Sequence, residues 1–469
     1  MPMCHFTTSF SIGDIVVSVV HHCITSSLSE CEGYDPFDPN GNITIKWDVT
    51  GWTGDGYVAT VTMFNWQQYR HVSPPGWKLG WSWAKKEIIW TMLGAETVLQ
   101  GDCAQYRTDP LPHCCAPTPV VVDLLPDVED SLRVANCCKG GVLQAFAQDP
   151  AQALAVLQIT VGNSGNTNKT VALPHNFTLL SPGPGYTCGP AVHVPKSLFP
   201  SADGRRWTEA LMTWNITCTY SQFLAQRAPS CCVSFSAFYD DTIMPCPTCS
   251  CACLTNSTTP IITTPKTLTN SQTCVDPNTP FSEIPAILNP VGTGANMPDV
   301  LYCTQDMCPV KIHWHVYINY EEYWRVKLTV TNRDFSKNFT DWNVVAQHPN
   351  FDNFTEAFSF SYKPLNPYGS YTNDTAMFWG IPYYNQMLLQ AGPEGNVQSD
   401  LLFGKDAKFT LSNGWAFPSR IYFNGDDCVL PEPQSFPTLP SSSHRAGGTP
   451  VEFLVMLGIG APALASYFF

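Results

Sequence analysis

Charge is scarce in this chain. Only 13% of its 469 residues are Asp, Glu, Lys or Arg, and acids outnumber bases 38 to 24, a formal net charge of −14. No basic run interrupts that balance. Nucleic acid is therefore excluded as a natural partner, since phosphate neutralisation by Lys and Arg dominates such binding. Long amphipathic helical patterns and short-period repeats are also missing, which removes helical bundles and solenoids. The sequence has no G-x-S-x-G elbow, no HExxH and no P-loop, so the hydrolase and nucleotide motifs with known mechanics are absent. Its adjacent carboxylates, Asp240-Asp241, Glu321-Glu322 and Asp426-Asp427, would point to opposite faces of a strand. None supplies by itself the facing acid pair of a glycosidase. Asp38-Pro-Asn-Gly-Asn42 opens like a calcium loop but lacks the glycine at position six and the acid at twelve.

What is abundant points elsewhere. Proline reaches 40 residues and aromatics 12%, a mix that predicts many short strands joined by turns. Seven of the fourteen tryptophans fall in one stretch: Trp47, Trp52, Trp66, Trp77, Trp81, Trp83 and Trp90. Aromatic rings shown to solvent usually serve recognition, and a π-face stacks on the C–H face of a sugar, so a polysaccharide is the first ligand to consider. The competing reading places the rings in the core. Asn42–Val49 alternates with Ile43, Ile45, Trp47 and Val49 on one face, a half-buried strand that assigns Trp47 to the interior. Tyr57–Asn65 alternates again and completes a hairpin with a loop longer than two residues. Trp81 and Trp83, at i and i+2, point the same way, either as a two-ring platform or as an inward pair. Trp52 lies in a glycine-rich loop, Trp77 follows Pro74-Pro75-Gly76, and Tyr57 and Tyr69 carry polar tips. The expected carbohydrate-binding set is Trp52, Tyr57, Tyr69, Trp77, Trp81 and Trp83.

Twenty cysteines and eight N-glycosylation sequons, at Asn42, Asn168, Asn176, Asn215, Asn256, Asn338, Asn353 and Asn373, indicate a secretory route. The disulfide candidates are Cys103, Cys114, Cys115, Cys137, Cys138, Cys188, Cys218, Cys231, Cys232, Cys246, Cys249, Cys251, Cys253, Cys274, Cys303, Cys308 and Cys428. That is an odd number, so one thiol is free or paired outside this set. Neighbouring cysteines usually bond to different partners, which is expected of Cys114-Cys115, Cys137-Cys138 and Cys231-Cys232. The CPTCSCAC spacing could hold zinc, but an oxidising compartment favours disulfides. His313 and His315 share a strand face without an evident third ligand, so no metal and no cofactor are expected.

The two ends carry addresses. Residues 1–33 contain no Lys or Arg, and Asp14 breaks the apolar run, so they read as an atypical or misassigned signal region. Val451–Phe469 is almost wholly apolar, with Glu452 as its one charge and nothing basic after it. Preceded by a polar spacer and the small residues Ser441, Ser442 and Ser443, it predicts a cleaved glycosylphosphatidylinositol (GPI) anchor signal. Between the ends, the pattern predicts a mainly β chain. A β-sandwich-like domain at 34–187 is followed by a cysteine-rich region at 188–254 and a Pro/Thr/Asn-rich linker at 255–300. A second β domain at 301–430, in which Ile312, Trp314, Val316 and Ile318 share one strand face and Trp324, Val326, Leu328 and Val330 another, a polar stalk with the anchor site at 431–450 and the tail at 451–469 complete it.

Several long segments resemble the plant COBRA-like family: YDPFDPNGNITIKWDV (34–49), PGWKLGWSWAKKEIIW (75–90), VANCCKGG (134–141), MTWNITCTYSQFLAQR (212–227), the Cys231-Cys232-Val233-Ser234 box, HWH (313–315) and GWAFPSRIYFNGD (414–426). The resemblance implies an N-terminal cellulose-binding-like module and a GPI anchor at Ser441, with Ser442 and Ser443 as alternatives. It implies a non-enzymatic protein at the outer face of the plasma membrane and in the cell wall, with cellulose or a related β-glucan as partner and microfibril organisation as its role. A wall-modifying glycosidase or transglycosylase, and a structural or signalling surface glycoprotein, are the alternatives.

Overall fold

The structure, a computed structural model, describes residues 38–180, 183–200, 205–225, 230–238, 309–334, 338–365, 374–388, 395–405 and 416–437, with short strand pieces at 9–12, 15–18, 273–275 and 300–302. The expected signal region, linker, anchor site and tail fall wholly or largely outside these residues, as do Cys246, Cys249, Cys251, Cys253, Cys303, Cys308, Asn256 and Asn373. The described chain is mainly β. Its α-helical part is the single turn Gln222–Ala225, and no described helix is long and apolar enough to cross a membrane.

The first domain packs two antiparallel sheets face to face. Its strands are β1 (Ile43–Trp52), β2 (Tyr57–Asn65), β3 (Lys78–Ser82), β4 (Ile88–Leu93), β5 (Ala95–Thr97), β6 (Val120–Asp123), β7 (Leu154–Gly162), β8 (His175–Leu180), β9 (Tyr186–Cys188) and β10 (Met212–Tyr220). The larger sheet runs β9-β10-β1-β2-β7-β4 and the smaller β8-β3-β6-β5. The alternation read from the sequence sets the inner face: Ile43, Ile45, Trp47 and Val49 from β1 and Ala59, Val61 and Met63 from β2 are all buried. They meet Leu79, Val121, Phe177 and Leu179 of the smaller sheet in one core.

The domain does not end at Thr187. β10 pairs with β1 from Met212↔Val49 to Cys218↔Ile43, so the first domain extends to Tyr220. The region 188–254 is not a separate unit, because its first half closes this sheet and Cys231–Ala237 belongs to the next domain.

That second domain accordingly begins at Cys231 rather than Leu301. Its strands are β11 (Cys231–Ala237), β12 (Val310–Asn319), β13 (Tyr323–Asn332), β14 (Asn343–Gln347), β15 (Phe354–Ala357), β16 (Phe360–Pro364), β17 (Thr375–Gly380), β18 (Asn396–Gly404) and β19 (Arg420–Phe423). One sheet runs β11-β12-β13-β18-β15, with β11 parallel to β12, and the other contains β16-β17-β14-β19. Trp314, Trp324, Val326, Leu328 and Val330 fill the space between them, as their alternation predicts.

The two domains are docked. Val345, Met377 and Tyr422, on the strand faces turned away from the second core, pack with Tyr69 and Ala147 of the first domain.

Candidate functional site

The tryptophan cluster is mostly a core. Tyr57, Trp77, Trp81 and Trp83 are buried in the first domain, and Tyr69 is buried at the domain junction. Trp52 is half-buried and packs on the same core. Trp47 stacks on Trp214 at 5.5 Å and meets Trp81 edge-on at 5.4 Å, while Trp81 meets Trp83 edge-on at 5.3 Å. Edge-to-face contact is the geometry that aromatic quadrupoles prefer. The expected solvent-facing platform of Tyr57, Tyr69, Trp77, Trp81 and Trp83 is therefore not formed. The physical reason is strand parity: Leu79 and Trp81 occupy alternate positions of β3, and Trp83 follows just past its end, all on the side facing β1.

Solvent instead meets the outer face of the larger sheet. On β2, the residues between the buried ones are Val58, Thr60, Thr62 and Phe64, all half-buried. Their partners on β7 are Thr160, Gln158, Val156 and Leu154, and β4 adds Thr91 opposite Thr160 and Leu93 opposite Gln158. Thr91 and Thr160 share a hydrogen bond of 2.8 Å between hydroxyls. Three strands thus present rows of hydroxyls and short apolar side chains. Between Phe64 and Val58 they extend for roughly 20 Å, at about 3.3 Å per residue.

Aromatic rings stand at both ends of this face. Trp66 is 39% exposed; it stacks on Phe64 at 5.5 Å with planes 17° apart and touches Phe146 at 5.0 Å. At the other end Trp90 lies over Gly162, where an added Cβ would sit 2.2 Å from the indole nitrogen, and meets Tyr106 edge-on at 5.8 Å. Trp66 and Trp90 belong to the tryptophan stretch, but Phe64, Phe146 and the threonine rows have no place in the expected set. The signal that finds them is the polar half of the β2 alternation, read as a surface rather than discarded as the wrong side.

The remaining candidates resolve into structural roles. His313 has Ser234 Oγ at 2.7 Å from Nδ1 and Ser236 Oγ at 2.9 Å from Nε2, and Ser236 also bonds His315. Burial, with Lys311 and His315 adding, pushes His313 down to about 4. No cluster of His, Cys, Asp and Glu suited to a metal occurs among the described residues. Asp426 forms an ion pair with Arg70, and Glu321 and Glu322 are exposed in a hairpin turn.

Disulfides join Cys103–Cys115, Cys188–Cys218 and Cys231–Cys428. Cys232 is also disulfide-bonded, so Cys231 and Cys232 take different partners, as expected. Cys137 and Cys138 do not: they bond to each other. Cys114 is a buried free thiol beside the bonded Cys115. The loop that carries the Cys137–Cys138 ring is held by Asp123, whose carboxylate accepts from the backbone N–H groups of Cys138, Lys139 and Gly141, each at 2.9 Å. Of the described sequons, Asn168, Asn176 and Asn338 are exposed and Asn42, Asn215 and Asn353 half-buried.

Fold and bonding together define a pair of docked β domains, each with disulfides of its own, the first with an aromatic-edged sheet face. The chain belongs to the COBRA family: residues 57–221 match the COBRA N-terminal domain and residues 230–437 the COBRA family C-terminal domain. It is 58% identical over 419 residues to COBRA-like protein 3 of Oryza sativa subsp. japonica, spanning 89% of this chain and 88% of that one. To Protein COBRA of Arabidopsis thaliana it is 55% identical over 446 residues, 95% and 94% of the two chains. The gap between the matched regions, at 222–229, coincides with the passage from β10 to β11.

Proposed function

We propose that this chain is a non-catalytic cell-wall protein that binds cellulose or a related β-glucan and organises microfibril deposition. It is held at the outer leaflet of the plasma membrane by a GPI lipid at Ser441, Ser442 or Ser443. The observation that carries the reading is the outer face of β2, β7 and β4, with the exposed Trp66 at one end and the half-buried Trp90 at the other. A flat polymer surface offers alternating C–H faces and hydroxyl edges. Rings stack on the former, and threonine and glutamine side chains bond the latter, without requiring one fixed register. Membership in the COBRA family supports the same reading. The test is co-sedimentation of the secreted full chain with microcrystalline cellulose. Retention that drops in Trp66→Ala and Trp90→Ala supports the reading, and retention unchanged by both overturns the site.

A further inference from the structure

A cleft of about 450 Å³ opens where the two domains meet, within the roughly 300–1,000 Å³ typical of small-molecule sites. Its walls come from both domains: Thr340 and Asp341 from the second, the rest from the first. Pro74, Pro126 and Val142 give it short apolar surfaces, and the Cys137–Cys138 ring contributes Cys138. Gln152 and Thr340, both exposed, supply amide and hydroxyl groups at the rim.

The charges in the walls are balanced and already engaged. Lys139 donates to the Leu154 carbonyl at 3.1 Å, and Asp341 accepts from the Gln144 amide at 2.8 Å. With one cation and one anion among the lining residues, the walls carry no net charge that would select an anion or a cation. A neutral, polyhydroxylated molecule with apolar C–H faces matches the lining. Asp341 is the one carboxylate among the lining residues, so the cleft lacks the acid pair that cleaves a glycosidic bond.

The position of the cleft selects among neutral ligands. Val142 and Gln144 line it, and Phe146 follows two residues later in the same segment and packs against Trp66. A polymer lying on the exposed Trp66 therefore has the cleft beside it. We propose that the interdomain cleft binds a single, loose segment or end of a neutral β-linked glucan chain, while the sheet face meets the bulk polymer. This rests on the reading of the chain as a glucan binder. It gives the docking of the two domains a purpose, since neither domain alone forms the site.

Titration of the secreted full chain with cellohexaose tests the cleft, and sedimentation with crystalline cellulose tests the sheet face independently. Gln152→Trp fills the cleft from an exposed position, and Thr340→Trp does so from the opposite wall. The expected result is that each weakens cellohexaose binding about tenfold or more, equivalent to the loss of roughly 1.4 kcal/mol, while sedimentation with cellulose persists. Cellohexaose affinity unchanged in both variants overturns the proposal, as does a chain that sediments with cellulose but does not bind cellohexaose. A chain that does neither removes the glucan reading itself, and the cleft assignment with it.

Discussion

Arg70 of the first domain reaches Asp426 of the second, with Nη1 2.7 Å from Oδ1. The same guanidinium donates to the Gly425 carbonyl and lies 3.8 Å above the Tyr220 ring. Both side chains are mostly buried, at 12% and 15% exposure. Removing one member of such a pair strands the other charge away from water, at about 3–5 kcal/mol. Arg70→Ala is therefore expected to lower the thermal midpoint clearly and to separate the unfolding of the two domains in calorimetry. Unchanged, single-step melting would show that the apolar contacts of Tyr69, Met377 and Tyr422 hold the junction without the ion pair.

Acid should loosen the same junction. His71 is buried there; its Nδ1 accepts from the Ala145 N–H at 3.0 Å and its Nε2 lies 2.8 Å from the Asn343 amide. Burial pushes His71 down to about 4, and His313 in the second domain likewise sits at about 4. In the unfolded chain both would titrate near the ordinary value of about 6.5. Between those values the unfolded chain binds more protons than the folded one. Stability is thus full above pH ~6.5 and declines as pH falls toward 4, by up to about 1.4 kcal/mol per pH unit for each histidine. Urea midpoints at pH 7.5, 6 and 5 should fall in that order, and His71→Gln should flatten the trend. Equal midpoints across the series would contradict the burial of neutral histidines.

The tryptophans should divide by position. Trp81→Ala empties a site between Trp47, Trp83 and Phe177, and large-to-small changes of this kind cost about 3–5 kcal/mol. Trp66 is partly in solvent, so Trp66→Ala should alter stability by less than about 1 kcal/mol yet reduce retention on cellulose. Denaturation curves and sedimentation on the same preparations separate the two effects. If Trp66→Ala proves as destabilising as Trp81→Ala, its ring is structural and the exposed edge of the sheet loses its anchor.

Much of this was legible in the sequence, and its limits are physical. Period-two alternation located β1, β2, β12 and β13 and set Trp47, Trp314 and Trp324 inward, because one buried face imposes that pattern locally. Domain limits were not legible. β1 is paired with β10 across more than half of the first domain, and β11 with β12 across the linker, and pairing at such distance leaves no mark on neighbouring residues. Parity also tells which side chains share a face without telling which face is wet. For Trp81 and Trp83 the buried neighbour Leu79 carried that information; for Phe64 it lay in the threonines two and four residues before it.

Cysteine bonding departs from local expectation at Cys137–Cys138, and it can be read directly. Digestion without reduction should release Cys137 and Cys138 within one peptide, lighter than its reduced form by two hydrogens and linked to nothing else, and should release Cys231 joined to Cys428. Cys114 should resist alkylation in the folded chain, since it is buried and burial raises its thiol pKa, and react once the chain is denatured. A cross-link from Cys137 or Cys138 to any other cysteine would open the ring beside Lys139 and change one wall of the interdomain cleft. The peptide map therefore bears on the proposed glucan site as well as on the disulfide framework.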